Sequence, residues 1–240
     1  MSLIEKTQFI VLTCDKYLNT RVKGIKNSWG KKVNITYLTD TYSDVDSIIG
    51  YNTPKTYEGI QDKYYSFFKN YDFSEYEYYF FVDDDTFVNI VEFNNVSIFD
   101  SHENLILGKE LHLNKDGTDK NGNYTGYPIH KIRGENTYLP LVYPSGGAGF
   151  IITRTTCKKI QNFLNDGLGK IPFSAHSDVT VGFWLRSVGT EMRHSDLFFG
   201  GSIYNLNNFE KMVYDKERKF LTFHYINETD MINLDKQYNV

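Results

Sequence analysis

The chain has 240 residues, 40% of them hydrophobic and 23% charged, a balance that belongs to a globular protein with a sizeable core and not to a disordered one. Its formal net charge of -4 excludes the basic face that nucleic-acid binding requires. Its two cysteines, Cys14 and Cys157, are too few for a disulfide framework and read as small buried apolar residues.

QFIVLTC (8–14) is a short β-branched apolar run and predicts a buried strand. Leu18, Val22, Ile25 and Trp29 follow at helical spacing, and Gly30 stands where a C-terminal cap belongs. VNITYLTD (33–40) predicts a second strand that ends in an acid. After a polar loop containing Pro54, residues Tyr57, Ile60, Tyr64, Phe67 and Tyr71 share one face of a second helix, and YYFFV (78–82) predicts a third strand. Strand, helix, strand, helix, strand is the pattern of a parallel sheet with covering helices, so the expected class is α/β.

Farther on, LILGKEL (105–111) predicts a strand, residues 112–140 a polar, Gly-rich mobile loop or small hairpin, and GGAGFIITR (146–154) a glycine turn entering a strand. Ile160, Phe163 and Leu164 mark one helix; Val181, Trp184, Leu185 and Val188 mark another. No apolar run reaches the roughly 18 residues of a membrane span. With no internal repeat and no linker of changed composition, the reading is one domain over 1–240.

The third strand runs straight into Asp83, Asp84 and Asp85. Burying ionised groups without partners costs roughly several kcal/mol each, so the cluster needs a reason. In an open α/β sheet ligands bind at the carboxyl ends of strands. A divalent cation there would remove the repulsion, and hard oxygen ligands suit Mg²⁺ or Mn²⁺. Alternation along an extended segment points Asp83 and Asp85 one way and Asp84 the other, toward a backbone or side-chain partner. The competing structural reading is an acidic turn that caps the next element. Among metal-using chemistries, a phosphotransferase of the haloacid-dehalogenase type needs DxDx[T/V] with the first acid as nucleophile, but Phe87 holds the Thr/Val position and the motif follows the third strand instead of the first. A nucleotide-sugar transferase needs an apolar strand followed by DxD, and this pattern fits better.

FFVDDDTFV, SGGAGFIITR, HSDVTVGFWL and FHY, in that order over about residues 8–225, resemble the Fringe-like β-1,3-glycosyltransferases. The resemblance implies a GT-A fold: a Rossmann-like nucleotide-binding half over about 1–111, with a mostly parallel sheet flanked by helices, and an acceptor-binding half over about 112–240. It implies an inverting enzyme that uses Mn²⁺ or Mg²⁺, a nucleotide-diphosphate sugar (commonly a UDP-sugar) and a glycan or glycoprotein acceptor. By position, Asp85 resembles the principal metal ligand, Asp83 the residue touching the metal or the donor ribose, and His224 the histidine that completes the metal site. Asp178 resembles the catalytic base; Ser177, a plausible N-cap for its helix, stands where many relatives carry a second acid.

Thr13, Arg21 and Trp29, with Thr39 and Asp40, resemble the nucleotide-binding edge, and Asp83 and Asp84 fall in the same donor-binding group. Arg21 and Lys63 either neutralise the donor diphosphate or are solvated helix residues. Gly146, Gly147 and Gly149 are either turn glycines or a floor without side chains. The non-enzymatic alternative is a catalytically inactive carbohydrate-binding relative, against which the joint presence of Asp83, Asp85, Asp178 and His224 counts. Fringe-like enzymes are usually Golgi-lumenal, with a membrane anchor and several disulfides. This sequence shows neither, so the reading leans to a cytoplasmic protein, with an excised lumenal domain as the alternative.

Overall fold

The near-continuous apolar runs become strands buried on both faces, as a sheet covered by helices on each side requires. The computed structural model describes residues 1–41, 43, 47–56, 59–96, 100, 102–113, 120–121, 131–132, 135–136, 141–167, 176–202 and 219–239. Its central element is a seven-stranded sheet. In chain order the strands are β1 (Thr7–Leu12), β2 (Asn34–Thr39), β3 (Ile48–Gly50) and β4 (Tyr78–Asp83), a short β5 (Phe87–Val88) outside this sheet, then β6 (Leu105–Gly108). A side sheet pairs β7 (Glu110–Leu113) with β10 (Leu141–Pro144), and a small ladder pairs β8 (Lys131–Ile132) with β9 (Glu135–Asn136). The chain continues with β11 (Phe150–Thr153), β12 (Glu191–His194), β13 (Phe198–Ser202) and β14 (Thr222–His224).

The order across the main sheet is β12-β6-β11-β4-β1-β2-β3. All its pairings are parallel except those of β11, which runs antiparallel to β4 and β6. The expected α/β class, with a mostly parallel central sheet flanked by helices, is therefore observed. Side-chain alternation sorts each strand between two cores. Phe9, Val11, Phe80 and Val82 face α1 (Arg21–Lys26), α3 (Ile90–Asn95) and α6 (Glu228–Tyr238). Ile10, Leu12, Tyr79 and Phe81 face α2 (Gly59–Asn70), α4 (Arg154–Asn165) and α5 (Ser177–Ser187). No described helix is long and apolar enough to cross a membrane.

Several local expectations need correction. The first helix stops at Lys26, before Trp29, because Ser28 Oγ donates to the carbonyls of Gly24 and Ile25 at 2.8 and 3.2 Å, a local bond that competes with helix continuation. Gly30 is no left-handed cap: it lies in a 3₁₀ turn, Trp29–Lys32, pressed against the Ile25 carbonyl. LILGKEL is split at Lys109, whose carbonyl accepts the Ser145 N–H at 2.8 Å, so that Glu110–Leu113 leaves for the side sheet. The expected hairpin within 112–140 exists as β8 and β9, while most of that segment, like Tyr57 in the second helix pattern, lies outside the described residues.

The α3 end of the core is stapled by buried Asn239. Its Oδ1 accepts the N–H of Ile90 at 2.6 Å and its Nδ2 donates to the Val88 carbonyl at 3.0 Å. Asn239→Ala leaves both backbone groups unpaired and is expected to lower unfolding free energy by about 1–3 kcal/mol, to be read as a shift of the urea midpoint at unchanged slope.

Candidate functional site

From β1 the chain goes to one side for β2 and later crosses to the other side for β4, so the carboxyl ends of β1 and β4 form a topological switch point. The parallel register sets Leu12 against Asp83 and thereby brings Thr13 beside Asp84. A cleft of about 670 Å³ opens here. Eleven of the candidate residues line it: Thr13, Arg21, Asp40, Lys63, Asp83, Asp84, Asp85, Gly146, Gly147, Asp178 and His224.

The three carboxylates diverge as alternation predicts. Asp84 turns inward, where Thr13 Oγ1 donates to its Oδ2 at 2.7 Å and Arg21 Nη1 to its Oδ1 at 2.8 Å. The same Arg21 nitrogen lies 3.1 Å from Asp85 Oδ2, and the guanidinium stacks on Tyr17 at 4.2 Å. Burial pushes Asp84 above its ordinary value even though Arg21 and Thr13 pull the other way.

His224 reaches the cluster through β5. This two-residue strand follows the aspartates at once and pairs antiparallel with β14, Phe87 opposite Phe223 and Val88 opposite Thr222. The next residue of β14, His224, therefore falls beside the acids: its Nε2 is 3.1 Å from Asp85 Oδ1 and 3.6 Å from Asp83 Oδ2. Asn89 reinforces the pairing, its N–H donating to the Leu221 carbonyl at 2.9 Å and its side chain to that of Phe220 at 3.2 Å.

The electrostatics follow from these contacts. Burial disfavours ionised Asp85, but the His224 hydrogen bond and the charges of His224 and Arg21 outweigh it and hold Asp85 below its ordinary value. Burial likewise disfavours an imidazolium, yet Asp85 and Asp83 raise His224 above its own. Asp83 is pushed up to about 7, first by desolvation in the cleft, against His224, with Asp85, Asp84 and Asp178 adding to the rise. One ligand atom from each of Asp83, Asp85 and His224 lies within 4.8 Å of the others. Two carboxylates and an imidazole are a donor set that suits Mn²⁺ or Mg²⁺.

Asp178 stands in the first turn of α5, which Val181, Trp184 and Leu185 dock on the sheet. The N-cap is His176, not Ser177, which is the first helical residue. Asp178 Oδ1 accepts the N–H of Val179 at 2.9 Å, but desolvation prevails and pushes the carboxyl above its ordinary value. Gly146 and Gly147 form a floor: a Cβ on Gly146 would sit 3.5 Å from Asp178 Cβ, and one on Gly147 only 2.0 Å from His224 Cε1. Gly149, at φ +79°, belongs to the turn into β11 and not to the floor.

The nucleotide-edge pattern divides. Asp40 lines the cleft, but Thr39 bonds Asp15, and Trp29 is buried in the core, 6.0 Å from Phe9 between ring centroids. Lys63 is not a solvated helix residue: it pairs with Asp40 at 2.6 Å, the two side chains 3% and 4% exposed, and it donates to the Thr13 carbonyl. Arg21 is likewise engaged by Asp84 and Asp85. Cys157 is buried as expected, whereas Cys14 is only partly so because it follows β1 into the cleft.

Sequence reading missed Lys16, Tyr17, Lys55 and Tyr225 in the lining. The spacing of Tyr17 and Arg21, four residues apart, carried a signal for their stacking, and Tyr225 belongs to the FHY segment itself.

The family model described as Fringe-like matches residues 4–240. No match is found among curated proteins. Among solved structures, the apo-form glycosyltransferase GlyE of Streptococcus pneumoniae TIGR4 is similar with a TM-score of 0.49 and 12% identity, over 92% of this chain and 54% of that one. The chain thus spans about half the length of that protein.

Because Asp85 supplies the hydrogen bond that raises His224, Asp85→Asn is expected to move the imidazole titration of the metal-free protein to lower pH. The His224 Hε1 shift followed by NMR across pH 5–9 reads this directly.

Proposed function

This chain belongs to the Fringe-like family, and we propose on that footing that it is a metal-dependent inverting glycosyltransferase of GT-A type, moving a sugar from a nucleotide-diphosphate donor, a UDP-sugar, to a hydroxyl of a glycan or glycoprotein. The observation that carries the reading is the convergence on one cleft of the Asp83–Asp85–His224 group and a further carboxyl, Asp178, on a different element. Asp83, Asp85 and His224 would hold the cation. When bound, a divalent ion of this kind stabilises the charge that develops on a departing diphosphate.

The protein's own groups supply the rest. Asp178 accepts the proton of the acceptor hydroxyl as its oxygen forms a bond to the anomeric carbon, while the bond to the diphosphate oxygen breaks on the opposite face. One base without a second nucleophilic carboxylate implies inversion, and so a β-linkage from an α-linked donor. A carboxyl at its ordinary pKa is a weak base, and the upward push that Asp178 receives from desolvation brings it nearer the working pH. Asp84, bound by Thr13 and Arg21, orients the strand end between its two neighbours. The bare backbone of Gly147 lets the His224 imidazole lie directly against it, and Gly146 lines the same cleft beside Asp178.

No observation favours the phosphotransferase alternative: Phe87, at its Thr/Val position, is fully buried in β5. An inactive relative is distinguished by incubation with UDP-sugars and Mn²⁺, since slow donor hydrolysis releases UDP without any acceptor. Asp178→Asn is expected to cut transfer by about 10² to 10⁴ while Mn²⁺-dependent UDP binding persists; transfer at near wild-type rate refutes the assignment.

A cation must displace the proton that Asp83 carries below about pH 7. The imidazolium of His224, also held above its ordinary value, must lose its proton too, so Mn²⁺ affinity should fall as pH drops, by at least about tenfold per unit below about 7, with proton release on binding. Calorimetry in two buffers of different ionisation enthalpy measures both.

A further inference from the structure

Tyr225, directly after His224, has φ of +60°, in the left-handed region that a bulky side chain rarely enters. It is 50% exposed and lines the cleft. Its neighbours explain the conformation. His224 turns Nε2 to Asp85 Oδ1 at 3.1 Å. Ile226 donates its N–H to the Asp85 carbonyl at 2.8 Å and buries its side chain in the core. With both flanking residues fixed on one aspartate, the residue between them must reverse the chain. Glycine would do so without strain.

The neighbours do not explain the tyrosine. Half of it is exposed, and among the described residues nothing hydrogen-bonds its hydroxyl. What the ring does is stack: its centroid lies 3.8 Å from that of the His224 imidazole, with 29° between the planes. The imidazole is also closed in by the Gly147 backbone, where a Cβ would come within 2.0 Å of Cε1 and 2.2 Å of Nδ1. A ring and a bare peptide thus leave the imidazole little freedom to turn away from the acids.

We propose that Tyr225 is a positioning residue: its ring clamps His224 with Nε2 facing Asp83 and Asp85, and this function keeps a strained tyrosine where glycine would fit. The proposal rests on the reading of Asp83, Asp85 and His224 as a cation site. A ligand held in its binding orientation beforehand loses less freedom on coordination, and outer contacts of this kind change metal affinity by about 10- to 100-fold.

Two variants separate ring from backbone. Tyr225→Gly removes the ring and relieves the left-handed conformation; Tyr225→Phe keeps the ring. Mn²⁺ alone is titrated calorimetrically into each full-length protein. The expected result is binding about 10- to 100-fold weaker in the Gly variant, with a metal-free unfolding temperature equal to or above wild type, and wild-type binding in the Phe variant. Opposite signs for binding and stability are what a merely structural tyrosine would not produce. Equal Mn²⁺ affinity in wild type and Tyr225→Gly overturns the proposal, as does a loss in Tyr225→Phe as large as in Tyr225→Gly. If wild type itself ignores Mn²⁺, the cation-site reading fails, and the clamp is then decided on the metal-free proteins by side-chain NMR. One His224 ring orientation in wild type and Tyr225→Phe with averaging in Tyr225→Gly supports it; identical ring behaviour in all three overturns it.

Discussion

Adjacent carboxylates at the end of a buried strand repel one another, and much of the fold around β4 consists of the groups that make them tolerable. Asp84 is answered by Thr13 and Arg21, and Asp85 by Arg21 and His224. Among the described residues Asp83 has His224 alone, at the longer distance of 3.6 Å. These counterparts come from the residue just after β1, from α1 and from β14, far apart in the chain. Breaking one side of such an arrangement strands a desolvated charge, which is worth roughly several kcal/mol. The pairing of β1 with β4, and of β5 with β14, is thereby tied to electrostatics as well as to backbone hydrogen bonds.

The opposite wall of the cleft is built by different means. For Asp178 the charge of His176 pulls downward, but burial prevails; the carboxyl is positioned by the helix beneath it, whose Val181 and Trp184 are buried against α2 and the sheet. Where burial outweighs the countercharge the carboxyl's pKa stays high, as it does for Asp178, and where the countercharges prevail it is lowered, as it is for Asp85. Asp178 and Asp85 are shifted in opposite directions for that reason, a separation that agrees with the different work proposed for them.

What the sequence discloses depends on how local the determinant is. β1, β2 and β4 are legible because strands buried on both faces have to be apolar throughout, and the divergence of Asp84 from Asp83 and Asp85 follows from alternation alone. The short β5 and β14 carry no readable period; register with each other makes them strands, and that is a tertiary fact. His224 was therefore reachable only through the order of motifs. The buried Lys63–Asp40 pair had a signal, since Lys63 lies on the same helical face as Ile60, Tyr64 and Phe67, where a solvated lysine has no place. The apolar spacing of Leu18 to Trp29 predicts too long a first helix because it says nothing of Ser28 folding back on its own backbone. The left-handed turn at Tyr225 was invisible, because the demand for it arises from Asp85, distant in the chain.

The join between β5 and β14 also bears on biosynthesis. Every strand of the main sheet has been translated by His194, so a nascent polypeptide halted soon after it already possesses the complete platform, including the acids, yet lacks the imidazole that answers them. Closing so long an excursion is slow relative to local events, although its entropy grows only gently with length. The contact of His224 with the acids would thus emerge after the scaffold has consolidated, which makes it an index of completed maturation and not merely of compactness.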